Sequence, residues 1–160
     1  VTERNDKQAR ARESSVMIKG LGITTVWTFD QQRTKAFFTE KIGFEVRNDL
    51  SMGEMRWVTV GAKDQPDVEL ALMSLDGPGL DPESSAALKT LVGKGVIGAG
   101  AFRTDDCRGD YETFRARGVE FIQEPQERPY GIEAIFRDDN GNWYSLTERS
   151  EELDFSKSFG

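Results

Sequence analysis

Residues 128–146 read RPYGIEAIFRDDNGNWYSL. The Asn140-Gly141 pair is a strong hairpin signal, and the runs on either side are rich in aromatic and branched residues. Strands are therefore expected at 132–137 and 143–148. Just upstream, residues 106–125 read DCRGDYETFRARGVEFIQEP. Tyr111 and Phe114 recur at i, i+3, Asp106 stands in the N-cap position and Gly118 closes the pattern, which predicts a helix over 107–117. A strand over about 97–104 precedes this helix and a short one at 119–122 follows it. The stretch QEPQERPYG at 123–131 reads as a loop. The order is strand, helix, then three strands.

The first half of the chain repeats that order. GITTVWTF at 22–29 reads as a strand, and Asp30 caps a helix over about 31–41 in which Phe38 and Ile42 share a face. Gly43 ends it, and strands follow at 44–49, 55–61 and 68–75. Asp30, a helix and Gly43-Phe44-Glu45 in one half match Asp106, a helix and Gly118-Val119-Glu120 in the other. A duplicated unit is the economical reading. Between the halves, the loop DGPGLDP leads to Pro82, which opens a helix with Ala87, Leu88, Leu91 and Val92 on one face. The expected domain covers 20–148, with module one at 20–75, a linker helix at 82–93 and module two at 96–148. A mobile polar arm at 1–19 and an acidic, solvated tail at 149–160 flank it, the tail carrying Phe155 and Phe159 as side chains able to dock.

Composition bounds the chemistry. The chain has 160 residues, 37% apolar and 31% charged, the balance of a single soluble globular domain. No apolar run is long enough to cross a bilayer, and the charged first fifteen residues lack a signal-peptide core. The single cysteine, Cys107, excludes an intrachain disulfide and suits a cytoplasmic location. A net charge of -7 without a dense basic patch argues against nucleic-acid binding. The histidine count is zero, which removes catalytic triads, Cys-His pairs and imidazole metal sites. Any catalysis would rest on carboxylates, tyrosines, lysines or backbone dipoles.

KAFFTEKIGFEV at 35–46 and the two runs quoted first resemble the vicinal oxygen chelate superfamily, which includes glyoxalase I, bleomycin-resistance proteins and extradiol dioxygenases. The resemblance spans about residues 20–148. It implies an α+β fold of two paired βαβββ modules whose curved sheets enclose a cleft. Metal-using members place four inward His or Glu ligands there. The matching positions in this chain are Ile23, Glu69, Ala99 and Ser145. One carboxylate, two aliphatic side chains and a hydroxyl make a poor donor set, so neither metal nor cofactor is expected.

Period-two alternation sorts the strand residues into faces. Ile23, Thr25, Trp27 and Phe29 are expected to face the cleft with Glu69, Ala71 and Met73. In module two the same parity selects Ala99, Ala101 and Arg103, then Trp143, Ser145 and Thr147. The facing of Trp57 is left open by the sequence. Tyr130, in the expected loop, is a rim residue. The candidate ligand-binding set is Trp27, Trp57, Glu69, Met73, Arg103, Tyr130, Trp143 and Ser145, with the tryptophans otherwise ordinary core aromatics. Glu69 is the candidate catalytic base or counter-ion, with a plain ion pair to Arg103 as the alternative. Asp30 and Asp106 read as helix caps and Cys107 as a structural thiol. GAGAF at 98–102 lacks the Lys-Ser/Thr of a phosphate loop.

The functional expectation is a metal-free protein of the glyoxalase and bleomycin-resistance type. It would bind a small aromatic or cationic molecule, probing no nucleic acid and no membrane, as a homodimer. The alternatives are a lyase or isomerase of the same superfamily using Glu69, a metal-dependent glyoxalase or dioxygenase, and a protein-interaction module anchored by Phe155 and Phe159.

Overall fold

Asp30 and Asp106 do the same work in the two halves of the molecule. Each precedes a helix and accepts a hydrogen bond from the amide three residues on, Arg33 at 3.0 Å and Gly109 at 2.9 Å. Such a cap contributes about 1 kcal/mol. The first helix, α1 (Gln31–Ala36), continues as a π-helical turn over Phe37–Ile42 and stops at Gly43. The expected α-helix over 31–41 is thus α-helical only in its first half, and the widened turn buries both Phe37 and Phe38. The helix of the second half, α3 (Cys107–Ala116), ends before Gly118. Gly43 and Gly118 both have φ of 86°, a left-handed conformation that strains any residue with a Cβ.

The computed structural model describes residues 17–160, so the arm expected at 1–19 lies almost wholly outside the described residues. The first sheet contains β1 (Ile23–Thr28), β2 (Glu45–Met52), β3 (Met55–Gly61) and β4 (Glu69–Ser74) in the order β1-β4-β3-β2. The second contains β5 (Gly98–Arg103), β6 (Phe121–Arg128), β7 (Gly131–Arg137) and β8 (Trp143–Arg149) in the order β5-β8-β7-β6. In both, the first strand runs parallel to the last and the other pairs are antiparallel. Helix α2 (Pro82–Gly93), capped by Asp81, joins them. This is the α+β fold of two βαβββ modules.

The segment expected as a loop at 123–131 is mostly strand. β6 runs on to Arg128, and its pairing with β7 slips between Gln123 and Gln126, where Pro125 sits. A bulge accommodates a residue that has no amide to donate.

Val26, Val58, Val60, Leu70 and Leu72 of the first sheet share one buried cluster with Ala134, Phe136, Tyr144 and Leu146 of the second. Phe38 meets Tyr144 edge-on at 5.9 Å, and Phe44 meets Phe102 at 5.3 Å, so aromatic contacts sew the modules together. The polar turn after β7 adds a second seam. Asn140 Oδ1 accepts from Thr28 Oγ1 at 3.2 Å and from the Phe29 amide at 3.0 Å, while Asn142 Nδ2 donates to the Trp27 carbonyl at 2.9 Å.

Because both sheets turn one face to a common core, their opposite faces look outward on different sides of the molecule. The expected cleft between the two sheets is therefore not closed within one chain. The core takes the space between the sheets, and the opposite faces stand open.

Candidate functional site

Strand register fixes which side chains share the open face of the first sheet. Ile23, Thr25 and Trp27 stand beside their β4 partners Glu69, Ala71 and Met73. Ala71 pairs with Thr59, which brings Met55, Trp57 and Thr59 to the same side. Asn48, Leu50 and Met52 follow as the partners of Thr59, Trp57 and Met55. Two of the chain's three tryptophans and three of its four methionines thus lie on one open sheet face. Leu50 and Met52 are each 53% exposed and Ile23 46%, while Trp27, Trp57 and Met73 are half-buried. An apolar patch of this kind on a small domain marks a binding surface, and methionines make it adaptable.

One carboxylate is set into this apolar face. Glu69 Oε1 accepts from Asn48 Nδ2 at 3.0 Å and from Thr59 Oγ1 at 2.8 Å. Both bonds converge on one oxygen, and Oε2 takes no hydrogen bond from the described residues. The ion pair of Glu69 with Arg103 considered above is not formed, since Arg103 lies exposed on the second sheet. Phe29, expected on this face, falls beyond the end of β1.

The open face of the second sheet is polar. Ala101, Ser145 and Ile135 form one cross-strand row, and Arg103, Thr147 and Glu133 the next. Ser145 Oγ donates to Glu133 Oε2 at 2.7 Å and lies 2.7 Å from Thr147 Oγ1. Arg128 Nε stands 4.0 Å from Glu133 Oε1, and Arg128 Nη2 donates to Gln123 Oε1 at 3.0 Å. The Tyr130 phenol lies beside Glu133. Burial first, and that carboxylate second, push its pKa above the ordinary tyrosine value.

At the end of this face, Trp143 lies flat over Gly98, where a Cβ would come within 2.6 Å of the indole. The pairing of β5 with β8 slips between Gly98 and Gly100. This bulge turns Ala99 into the core instead of outward as expected, and the strand partner of Ser145 is Ala101.

The candidates therefore fall into two groups on opposite sides of one chain. Trp27, Trp57, Glu69 and Met73 share the first face. Arg103, Trp143 and Ser145 share the second, with Tyr130 at its hairpin tip. Asn48, Leu50, Met52, Met55 and Glu133 were missed by reading the sequence. Applying strand parity across the turns at Gly53 and Asn140-Gly141 finds them. Between the modules, a hollow of about 850 Å³ runs from the β3–β4 loop to the end of β5, and of the candidates only Arg103 lines it.

Cys107 is buried at the start of α3, its thiol 3.4 Å from the Leu146 carbonyl, and burial pushes its pKa up. It is packed, not primed. Ile23 pairs with Glu69 across β1 and β4, and Ala101 with Ser145 across β5 and β8, and the aliphatic member of each pair offers a cation no donor atom. Among the described residues, no group of three or more His, Cys, Asp or Glu side chains is placed to hold a metal. No helix among them is long and apolar enough to cross a membrane.

Comparison with known proteins agrees with this architecture. The chain is 33% identical over 133 residues to the uncharacterized protein YetH of Bacillus subtilis, covering 82% of this chain and all of that one. Among solved structures, UcmS2 is 50% identical with a TM-score of 0.79, covering 82% of this chain and 99% of its own. TnmS3, described as an antibiotic binding protein from Streptomyces sp. CB03234, is 28% identical with a TM-score of 0.69, covering 85% of this chain and all of its own. The sequence pattern of one superfamily matches residues 20–146, from just before β1 into β8. The chain belongs to the Glyoxalase/Bleomycin resistance protein/Dioxygenase superfamily.

Proposed function

We propose that this protein binds a planar aromatic small molecule carrying a positive charge, and that two copies of the chain build each site. One observation carries the reading: Trp27, Trp57, Met52, Met55 and Met73 share an open sheet face with Glu69, which stands toward the other end of the same strands. Indoles and thioethers offer stacking surface to a flat ligand, at about 0.5–2 kcal/mol per well-placed aromatic contact. The unengaged oxygen of Glu69 offers a counter-charge. Micromolar affinity needs about -8 kcal/mol, more than one open face is able to provide after association costs.

A second copy answers that shortfall. If the polar face of one chain covers the apolar face of another, Trp143, Ser145 and Glu133 close over the ligand from the far side. The acidic chain favours a cationic ligand at long range. The antibiotic binding described for TnmS3 supports a drug-sized ligand.

Tryptophan fluorescence titrated with proflavine, a flat tricyclic cation, tests the reading. Saturable quenching in the micromolar range is expected, with a stoichiometry of one dye per chain. A strictly linear, unsaturated decline would overturn it.

A further inference from the structure

We propose that the C-terminal segment 150–160 is a working part of the ligand site, clamping the Arg128–Tyr130 corner over Glu133 and so setting the shape of the polar end. This rests on the binding function proposed above. The segment follows β8, the last strand of the second sheet.

The segment is largely exposed, and it is tied back onto the hairpin between β6 and β7. The Ser150 amide donates to the Tyr130 carbonyl at 2.9 Å and the Asp154 amide to the Pro129 carbonyl at 2.8 Å. A turn held by Asp154, which accepts from the Ser156 amide at 3.0 Å, then sends the chain back over the hairpin. Lys157 Nζ reaches Glu127 Oε2 at 3.1 Å, Arg128 Nη1 donates to the Ser158 carbonyl at 3.5 Å, and the Phe159 ring lies 6.4 Å from that of Tyr130. Every one of these ties lands on residues 127–130, the corner between β6 and β7.

That corner is where the ligand face is made. Arg128 and Tyr130 both stand against Glu133, which Ser145 engages from the next strand. The Arg128 side chain is only 12% exposed, and its Nε is buried without a hydrogen-bond partner among the described residues. Its charge is met by Glu133 Oε1, 4.0 Å from Nε, so the corner holds the two side chains as a pair. Hairpin tips are ordinarily among the looser parts of a fold, and a tip that must present two side chains gains from an outer brace. Phe159 itself is 69% exposed, which leaves an aromatic edge beside Tyr130 for a ligand to meet.

The test compares the full chain, a deletion of 151–160 and the point variant Phe159→Ala. Phe159 is exposed enough that its loss leaves the fold intact, should the deletion disturb it. Proflavine affinity is read by fluorescence, and the Tyr130 phenol is followed through its pH titration by tyrosine ring NMR. Deletion is expected to weaken proflavine binding about tenfold and Phe159→Ala about threefold, as preorganisation is lost. Deletion should also return the Tyr130 titration toward the ordinary value. If both shortened and full chains bind proflavine equally and Tyr130 titrates alike, the clamp is overturned while the binding function stands. If no form binds proflavine, the binding function fails, and a role for the segment in it fails too, whatever Tyr130 does.

Discussion

Glu69 and Gly98 show how single side chains decide what each open face is able to do. Asn48 and Thr59 hold Glu69 through one oxygen only, and a glutamine carbonyl at the same place would still accept both bonds. Glu69→Gln should therefore keep the melting temperature of the parent. Its affinity for proflavine should fall by about 1.5–3 kcal/mol through loss of a charge-assisted contact, while a neutral flat dye is bound as before. Calorimetric melting and dye titration read the two effects separately. Severe destabilisation with affinity intact would make Glu69 a structural residue. Gly98 acts by having no side chain. A methyl group there would stand 2.6 Å from the Trp143 indole, against a β8 strand that is fixed on both sides. Gly98→Ala should tilt the ring off the sheet, seen as a red-shifted Trp143 emission in a Trp27→Phe, Trp57→Phe background. An unshifted spectrum would show that the backbone yields first.

The turn between β7 and β8 is the element that joins the modules, and its chemistry is unusual. Asp138 is buried and accepts from the Asn140 and Asn142 amides at 2.8 and 3.1 Å, from Asn142 Nδ2 at 3.0 Å and from Tyr144 Oη at 2.8 Å. Burial, the largest effect, and the neighbouring Asp139 charge raise its pKa, while the Asn142 and Tyr144 side chains and the Asn140 amide pull it back. A carboxyl whose pKa is raised on folding holds its proton longer in the native state. Its charge therefore lowers stability as pH rises through the native pKa, and the loss is absent below the unfolded value near 4. Tyr144→Phe removes one donor and should cost about 1–3 kcal/mol at neutral pH. The penalty should shrink toward pH 4, where a protonated Asp138 needs that donor less. Urea unfolding at both pH values checks the sign, and a penalty that grows in acid would refute it. Asp30, Asp106 and Asn140-Gly141 were legible in the sequence because caps and tight turns are local, and the repeat followed from them. β6 was hidden by Pro125 and a polar run, since bulged edge pairing carries little alternation. Ala99 was misplaced by one slipped residue, which reverses a side chain. Which way the two sheets face is set by contacts such as Phe38 with Tyr144, which join residues far apart in the chain and leave no local pattern.

At the scale of the whole molecule, the two candidate faces cannot serve one ligand within a single chain, because the shared core lies between them. Either one face works alone or a second copy supplies the other. Mixing two crippled chains separates these possibilities. Trp57→Ala damages only the apolar face, and Trp143→Ala damages only the polar one. Each variant alone should bind proflavine poorly while keeping its fold, which circular dichroism and melting verify. In a dimer whose sites pair the apolar face of one chain with the polar face of the other, a mixed dimer has one doubly damaged site and one intact site. Random mixing makes about half the dimers mixed, so about a quarter of all sites should regain parental affinity. A site built on one face of one chain yields no intact copy by any mixing. Refolding the two variants together and titrating with proflavine should therefore show a tight fraction that neither shows alone. Its absence, in a sample shown by sedimentation to contain mixed dimers, would place the binding function on a single face.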